Sequence, residues 1–322
     1  MTFVRTVLGD IESSALGITY SHEHLVIDGG RPVLMEPDFD LGDVTAMVTE
    51  VAEATALGLR AVVDAMPCDA GRSALKLADL SRRAGIHVIA PTGLHHDRYY
   101  GPAHWSARLD VEELATLFVM DVTDGIDVND YSGPIVERTE HRAGIIKIAG
   151  SQDGPSARDR RIFEAAALAH LATGVPILTH CEAGTGAIEQ LRLLTDLGVA
   201  PAHVSLSHID KVVDRGYHRE LLGAGAFGEY DQSFRWKGDN GTLRLLEWAA
   251  EDGLEGQILL GMDAARQGYY HVYDGAPGLA WLLGGFTAAM AERGIGEGVR
   301  QRLFVEAPAR AFAFAELEGG TA

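Results

Sequence analysis

Six side chains in this sequence are of types that hold divalent metals or move protons, and each sits in or closes a short apolar run. His22 and His24 form an H-x-H pair in Ser21-His22-Glu23-His24. Residues two apart on a strand share a face, so both imidazoles can reach one point. His180 ends the run Ile177-Leu178-Thr179-His180, His208 ends Val204-Ser205-Leu206-Ser207-His208, and Asp263 ends Leu259-Leu260-Gly261-Met262-Asp263. A single histidine near a strand end is more often a hydrogen-bonded core residue, and nine of the 13 here, His87, His141, His170 and His218 among them, are read that way. Four histidines, a lysine and an aspartate at strand ends together suit zinc, manganese, iron or cobalt.

Lys147 is the sixth, flanked by Ile145, Ile146, Ile148 and Ala149. Inside a barrel its ammonium would lose its hydration, which lowers its pKa. A neutral buried amine can add carbon dioxide and become a carbamate, turning a cation into a carboxylate able to bridge two metals. The competing readings are an ion pair with an acid at the barrel mouth and a Schiff-base amine. The accompanying histidines favour the carbamate.

Such a set needs parallel strands that all end on one side. Strand-like runs span 17–24, 61–66, 87–92, 144–149, 175–180, 203–208, 226–230 and 257–263, nearly continuous and rich in β-branched residues, as in strands covered on both faces. Helical patterns lie between them at 43–57, 73–84, 111–122, 157–173, 186–197, 242–251 and 279–293. Eight βα units without a composition break predict one α/β domain, residues 1–322, folded as a (β/α)₈ TIM barrel with its active site at the C-terminal strand ends. The competing doubly wound sheet would carry a glycine-rich phosphate loop after the first strand, where Ser21-His22-Glu23-His24 stands instead. Glu23 points away from the His22/His24 face of a regular strand and is read as structural.

The formal charge of −19 excludes nucleic acid and anionic membrane surfaces as partners. No apolar run is long enough to span a bilayer. Two cysteines, Cys68 and Cys181, and a start without an apolar segment behind a basic one predict a cytoplasmic protein. Only four lysines, Lys76, Lys147, Lys211 and Lys237, stand beside 23 arginines, so each lysine is conspicuous.

The sequence resembles the phosphotriesterase-related proteins of the amidohydrolase superfamily over nearly its whole length. The resemblance runs from Val7-Leu8-Gly9-Asp10 and Ser21-His22-Glu23-His24-Leu25 to Val305-Glu306-Ala307-Pro308-Ala309-Arg310-Ala311. It implies two divalent ions, zinc first with manganese or cobalt as alternatives. His22, His24 and Asp263 would surround one ion, His180 and His208 the other, with carboxylated Lys147 between them. Asp263 would also be the catalytic residue that accepts a proton from the attacking water. The resemblance extends to a possible homodimer.

The same resemblance points to a branch that hydrolyses phosphorylated sugar lactones, with Arg266 and Tyr269 gripping a phosphate and Lys211 and Lys237 as further contacts. A local cationic cluster on so acidic a chain reads physically as an anion site. The segment from Gly93 to Tyr100 lines the pocket, with Tyr99 a substrate contact; its His95/His96 pair mimics a third metal site. The expected substrate is a small anionic molecule. A phosphotriesterase or an N-acyl amide hydrolase of the same fold, and more remotely a metal-binding or ligand-binding protein without turnover, are the alternatives.

Overall fold

The computed structural model describes residues 2–152 and 154–317. Its barrel strands, in chain order, are strand 1 (Thr19–Glu23), strand 2 (Ala61–Asp64), strand 3 (His87–Ile89, continued by Pro91–Thr92), strand 4 (Ile145–Gly150), strand 5 (Ile177–Cys181), strand 6 (Val204–Ser207), strand 7 (Phe227–Tyr230) and strand 8 (Ile258–Leu260). All neighbours pair in parallel. Strand 3 turns a corner at Ala90: its first half pairs with strand 2 and its second with strand 4. The ring closes where the Met262 and Asp263 amides donate to the His22 carbonyl at 3.3 and 2.9 Å. The expected (β/α)₈ barrel is the fold observed.

Period-two alternation along the strands decides which side chains enter the barrel. Val63, Ile89, Ile145, Leu178, Phe227 and Leu259 pack together inside, while Val62, Val88, Ile146, Ile177, Leu206 and Leu260 pack outward against the helices. Two residues beyond Ile145 the inward position is Lys147, and two beyond Leu178 it is His180. Beyond Phe227 the inward positions are Glu229 and Asp231. The apolar floor thus gives way to polar side chains toward the C-terminal ends. An antiparallel hairpin, Phe3–Thr6 with Gly9–Glu12, lies at the floor and contributes Val4 to the inner cluster beside Leu16 and Phe312.

Six of the helices start on side-chain caps: Asp43, Ser73, Asp110, Ser156, Asp214 and Asn240. Asp110 and Glu113 form a reciprocal capping box ahead of Val111–Thr123, and Ser156 and Asp159 another ahead of Ala157–Thr173. Some elements depart from expectation. A helix at Arg215–Gly223, buried on one side through His218, Leu221 and Leu222, lies outside the expected helical ranges. The helix anticipated over 279–293 is broken into a 3₁₀ turn (Leu279–Trp281), a π segment (Leu282–Phe286) and an α segment (Thr287–Glu292). The Tyr20 hydroxyl enters this ladder, donating to the Leu279 carbonyl and accepting from the Leu283 amide, both at 3.1 Å. Such an insertion is a recognised cause of a helix bulge.

Candidate functional site

A cavity of about 260 Å³ opens at the C-terminal strand ends, lined by His22, His24, His180, His208 and Asp263 among others. The Nε2 atoms of His22 and His24 lie 3.6 and 3.2 Å from Asp263 Oδ1. Across the cavity, His180 Nδ1 faces His208 Nε2 at 2.8 Å. Lys147 lies beneath, 1% exposed, with Nζ 3.3 Å from both His22 Nε2 and Ser207 Oγ. Among the described residues no carboxylate pairs with its ammonium.

Three carboxylates that sequence reasoning missed orient these rings. Glu182 Oε2 lies 2.9 Å from His180 Nε2, Asp231 Oδ2 2.7 Å from His208 Nδ1, and Glu229 Oε2 2.9 Å from His22 Nδ1. The hydrogen bond from His180 holds Glu182 below the usual carboxylate range, and against the effect of burial His208 does the same for Asp231. An ionised Glu182 favours the His180 tautomer with its proton on Nε2, which leaves the Nδ1 lone pair facing His208 Nε2 across 2.8 Å and available to a cation. Burial drives the His180 and His22 pKa values well below normal, so both rings stay neutral, the form that ligates metal. The donor set therefore fits divalent metal. Glu229 and Asp231 were legible in principle: both are carboxylates at inward positions of a short apolar strand.

Burial likewise lowers the Lys147 pKa, opposed by the charges of Glu229, Asp263 and Asp231. Burial disfavours ionisation of Asp263 too, yet the hydrogen bond from His24, the neighbouring His208 and His22 rings and the Arg235 guanidinium hold its carboxyl well below the usual range. Glu23 turns away from the cavity and accepts from the Met262 and Ala264 amides at 2.7 and 3.3 Å, fastening strand 1 to the end of strand 8. His95 lines the cavity, while His96 Nε2 lies 3.1 Å from Glu182 Oε2.

Of the anticipated substrate contacts, Tyr99, Lys211, Arg266 and Tyr269 line the cavity. Lys237 does not: it is exposed outside it, and the cation this loop sends inward is Arg235. Arg235 donates to the carbonyls of Asp231, Met262 and Asp263, each at 2.7 Å, and its guanidinium lies over the Tyr269 ring at 5.2 Å. Arg266 is partly neutralised, 2.7 Å from Glu36 and 4.2 Å above the Phe39 ring.

A parallel barrel with this donor set at its mouth defines a class, the metal-dependent hydrolases. The chain belongs, within it, to the phosphotriesterase family, matched over residues 2–312. It is 30% identical to a phospho-furanose lactonase of Mycoplasmopsis synoviae (strain 53), an alignment covering 98% of this chain and 92% of that protein. A phosphotriesterase homology protein of Escherichia coli (strain K12) is also 30% identical, over 92% of this chain and 98% of that protein. Among solved structures, a lactonase from Listeria monocytogenes superposes with a TM-score of 0.89 at 28% identity, covering 98% of this chain and 100% of that one. The family's chemistry makes the chain a hydrolase that uses divalent metal ions. Among the described residues no helix is long and apolar enough to cross a membrane.

Proposed function

We propose that this enzyme opens the ring of a small phosphorylated sugar lactone. The observation that carries the substrate class is the cationic rim, Lys211, Arg235 and Arg266, which shares one cavity with Asp263, Tyr99 and Tyr269. On a chain of charge −19, that concentration of positive charge selects an anion. The lactonase names of the relatives agree with it. Arg235 takes the place first given to Lys237. Guanidinium and ammonium groups bind phosphate through short charge-assisted hydrogen bonds, and the Tyr99 and Tyr269 hydroxyls supply neutral ones.

In this proposal His22, His24 and Asp263 hold one divalent ion and His180 and His208 the other, with Lys147 carboxylated between them; zinc is first choice, manganese or cobalt second. When bound, the pair of ions would supply an acidified water and polarise the lactone carbonyl. Lys147 suits the modification because it is buried, unpaired and lowered in pKa. Asp263, held ionised by His24 and Arg235, would take a proton from the attacking water and return it to the alkoxide released when the ring C–O bond breaks. Buried free Cys68 and Cys181 suit a cytoplasmic enzyme, taken here as one domain over 1–322. The exposed side chains of Leu34 and Met35 offer a second copy of the chain an apolar contact.

The test compares kcat/KM for a sugar lactone with and without a phosphate on its distal hydroxyl, using metal-loaded enzyme. One phosphate contact in a water-poor pocket contributes ~1.5–3 kcal/mol, about tenfold to a hundredfold. The phosphorylated substrate should lead by orders of magnitude, and Lys211→Ala should remove much of that lead while sparing neutral lactones. Equal turnover of neutral lactones, phosphotriesters or N-acyl amides would overturn the assignment.

A further inference from the structure

A second cavity, of about 510 Å³, adjoins the first through Arg98, which lines both. Four arginines enter it, Arg31, Arg98, Arg158 and Arg161, with Asp97 the one acid on its wall. The chain carries 46 acidic side chains against 27 lysines and arginines, so arginines here ordinarily find carboxylates. These largely do not. Arg31 donates to the Arg98 carbonyl at 3.3 Å, and Arg161 to the Ser106 and Ala107 carbonyls at 3.1 and 3.5 Å; neither has an ion-pair partner among the described residues. Arg158 donates to the His95 carbonyl at 3.0 Å and lies 3.7 Å from Asp159, whose other oxygen is already taken by Ser151 and Ser156. Arg98 lies 3.4 Å from Glu182, which also serves His180 and His96.

Two further observations show that these arginines are under-compensated. Arg161 Nε is buried without a hydrogen-bond partner, an arrangement proteins avoid. Burial lowers the Arg158 pKa against the opposing effects of Tyr100, Asp97 and Asp159, and Arg161 adds a like charge beside it. Backbone carbonyls take part of the donor capacity of Arg31, Arg158 and Arg161, and all three side chains line the cavity.

We infer that this arginine-lined cavity is a second anion site beside the active-site mouth, built to hold the phosphate dianion of a small phosphate monoester. Planar forks converging from separate elements suit phosphate oxygens, and the volume admits a sugar-sized body behind the phosphate. The site is independent of the substrate proposal, which rests on Lys211, Arg235 and Arg266.

Glycerol 3-phosphate is the probe, titrated calorimetrically into metal-loaded protein and, separately, used to protect arginines from phenylglyoxal with peptide mapping by mass spectrometry. It should shield Arg31, Arg158 and Arg161, and Arg31→Gln and Arg161→Gln should each weaken its binding about tenfold or more. Arg31 is exposed, which keeps one variant safe from misfolding. Both variants should turn over a neutral lactone within about twofold of the parent. Lys211→Ala should leave the shielding intact, so failure of the substrate proposal is separable from failure of this one. Unchanged probe binding in both glutamine variants overturns the inference. So does shielding that is complete without probe in a protein sedimenting as a dimer, which would make the cavity a contact with a second copy.

Discussion

Glu229→Gln removes one charge from a fully buried position and almost nothing else. The carboxylate holds His22 Nδ1 at 2.9 Å and accepts from Ser207 Oγ at 2.8 Å. Burial, opposed by Lys147, pushes its pKa up to about 8 in the metal-free centre. Below that pH the acid holds a proton that a divalent ion at His22 must expel, so parental affinity should climb about tenfold per pH unit and level off near pH 8. The glutamine has no such proton. At about pH 8.5 the variant should bind metal ~10–100-fold more weakly, the usual effect of losing an orienting carboxylate. By about pH 6.5 the parent has surrendered roughly thirtyfold of its own affinity, so the gap should shrink to about threefold or reverse by about the same factor. Competition against a chromogenic chelator across this range, with metal content read by mass spectrometry, measures both curves. Parallel curves, with a gap independent of pH, would refute the reasoning even if the variant bound metal poorly.

Three other outcomes are expected. Asp263→Asn should retain much of its metal yet lose ~10²–10⁴ in kcat, the scale of general acid–base work; near-parental kcat at saturating substrate would remove Asp263 from proton transfer. Lys147→Ala should drop metal content and activity together, with short carboxylic acids restoring part of both, and protein mass spectrometry of the parent under carbon dioxide should show the added carboxyl; an unmodified lysine in fully loaded parent enzyme would sink the carbamate. Gly93 has φ +102°, and a Cβ there would stand 2.0 Å from the Lys147 carbonyl oxygen. Gly93→Ala should therefore cost several kcal/mol by chemical denaturation, from overpacking and backbone strain together.

The barrel was legible because its signals are local: β-branched runs of even spacing, and helices announced by their own caps. Strand edges fell within a few residues of their anticipated places. The candidate-site histidines, Lys147 and Asp263 stood out because each terminates or interrupts an apolar run, and the fold brings them to one end of the barrel. What escaped depends on contacts distant in sequence. The break at Leu282–Phe286 is made by Tyr20, some 260 positions earlier, and no window of sequence contains both. Lys237 drew notice because lysine is scarce, but loop conformation decides which residue of Arg235-Trp236-Lys237 turns inward, and it is Arg235. Glu182, by contrast, was legible in principle. It stands two residues after His180, just past the strand end, so the two-residue rule applied to His22 and His24 would have put it on the His180 face.

His208 and Asp263 share a feature that bears on how this enzyme could change. Both occupy left-handed backbone, at φ +66° and +49°, where most side chains are uncomfortable and histidine only tolerates the geometry. Such positions cost of order 1–3 kcal/mol apiece, and glycine would relieve much of that strain. Substitution to glycine here would relieve backbone strain while deleting two side chains to which the proposed function assigns the chemistry. Selection for thermal robustness alone would thus push these two sites toward inactivity, and a screen for stabilised variants should find dead enzymes among its winners. The strain at the strand ends records what the barrel is for: without catalysis to preserve it, it would be among the first features to erode.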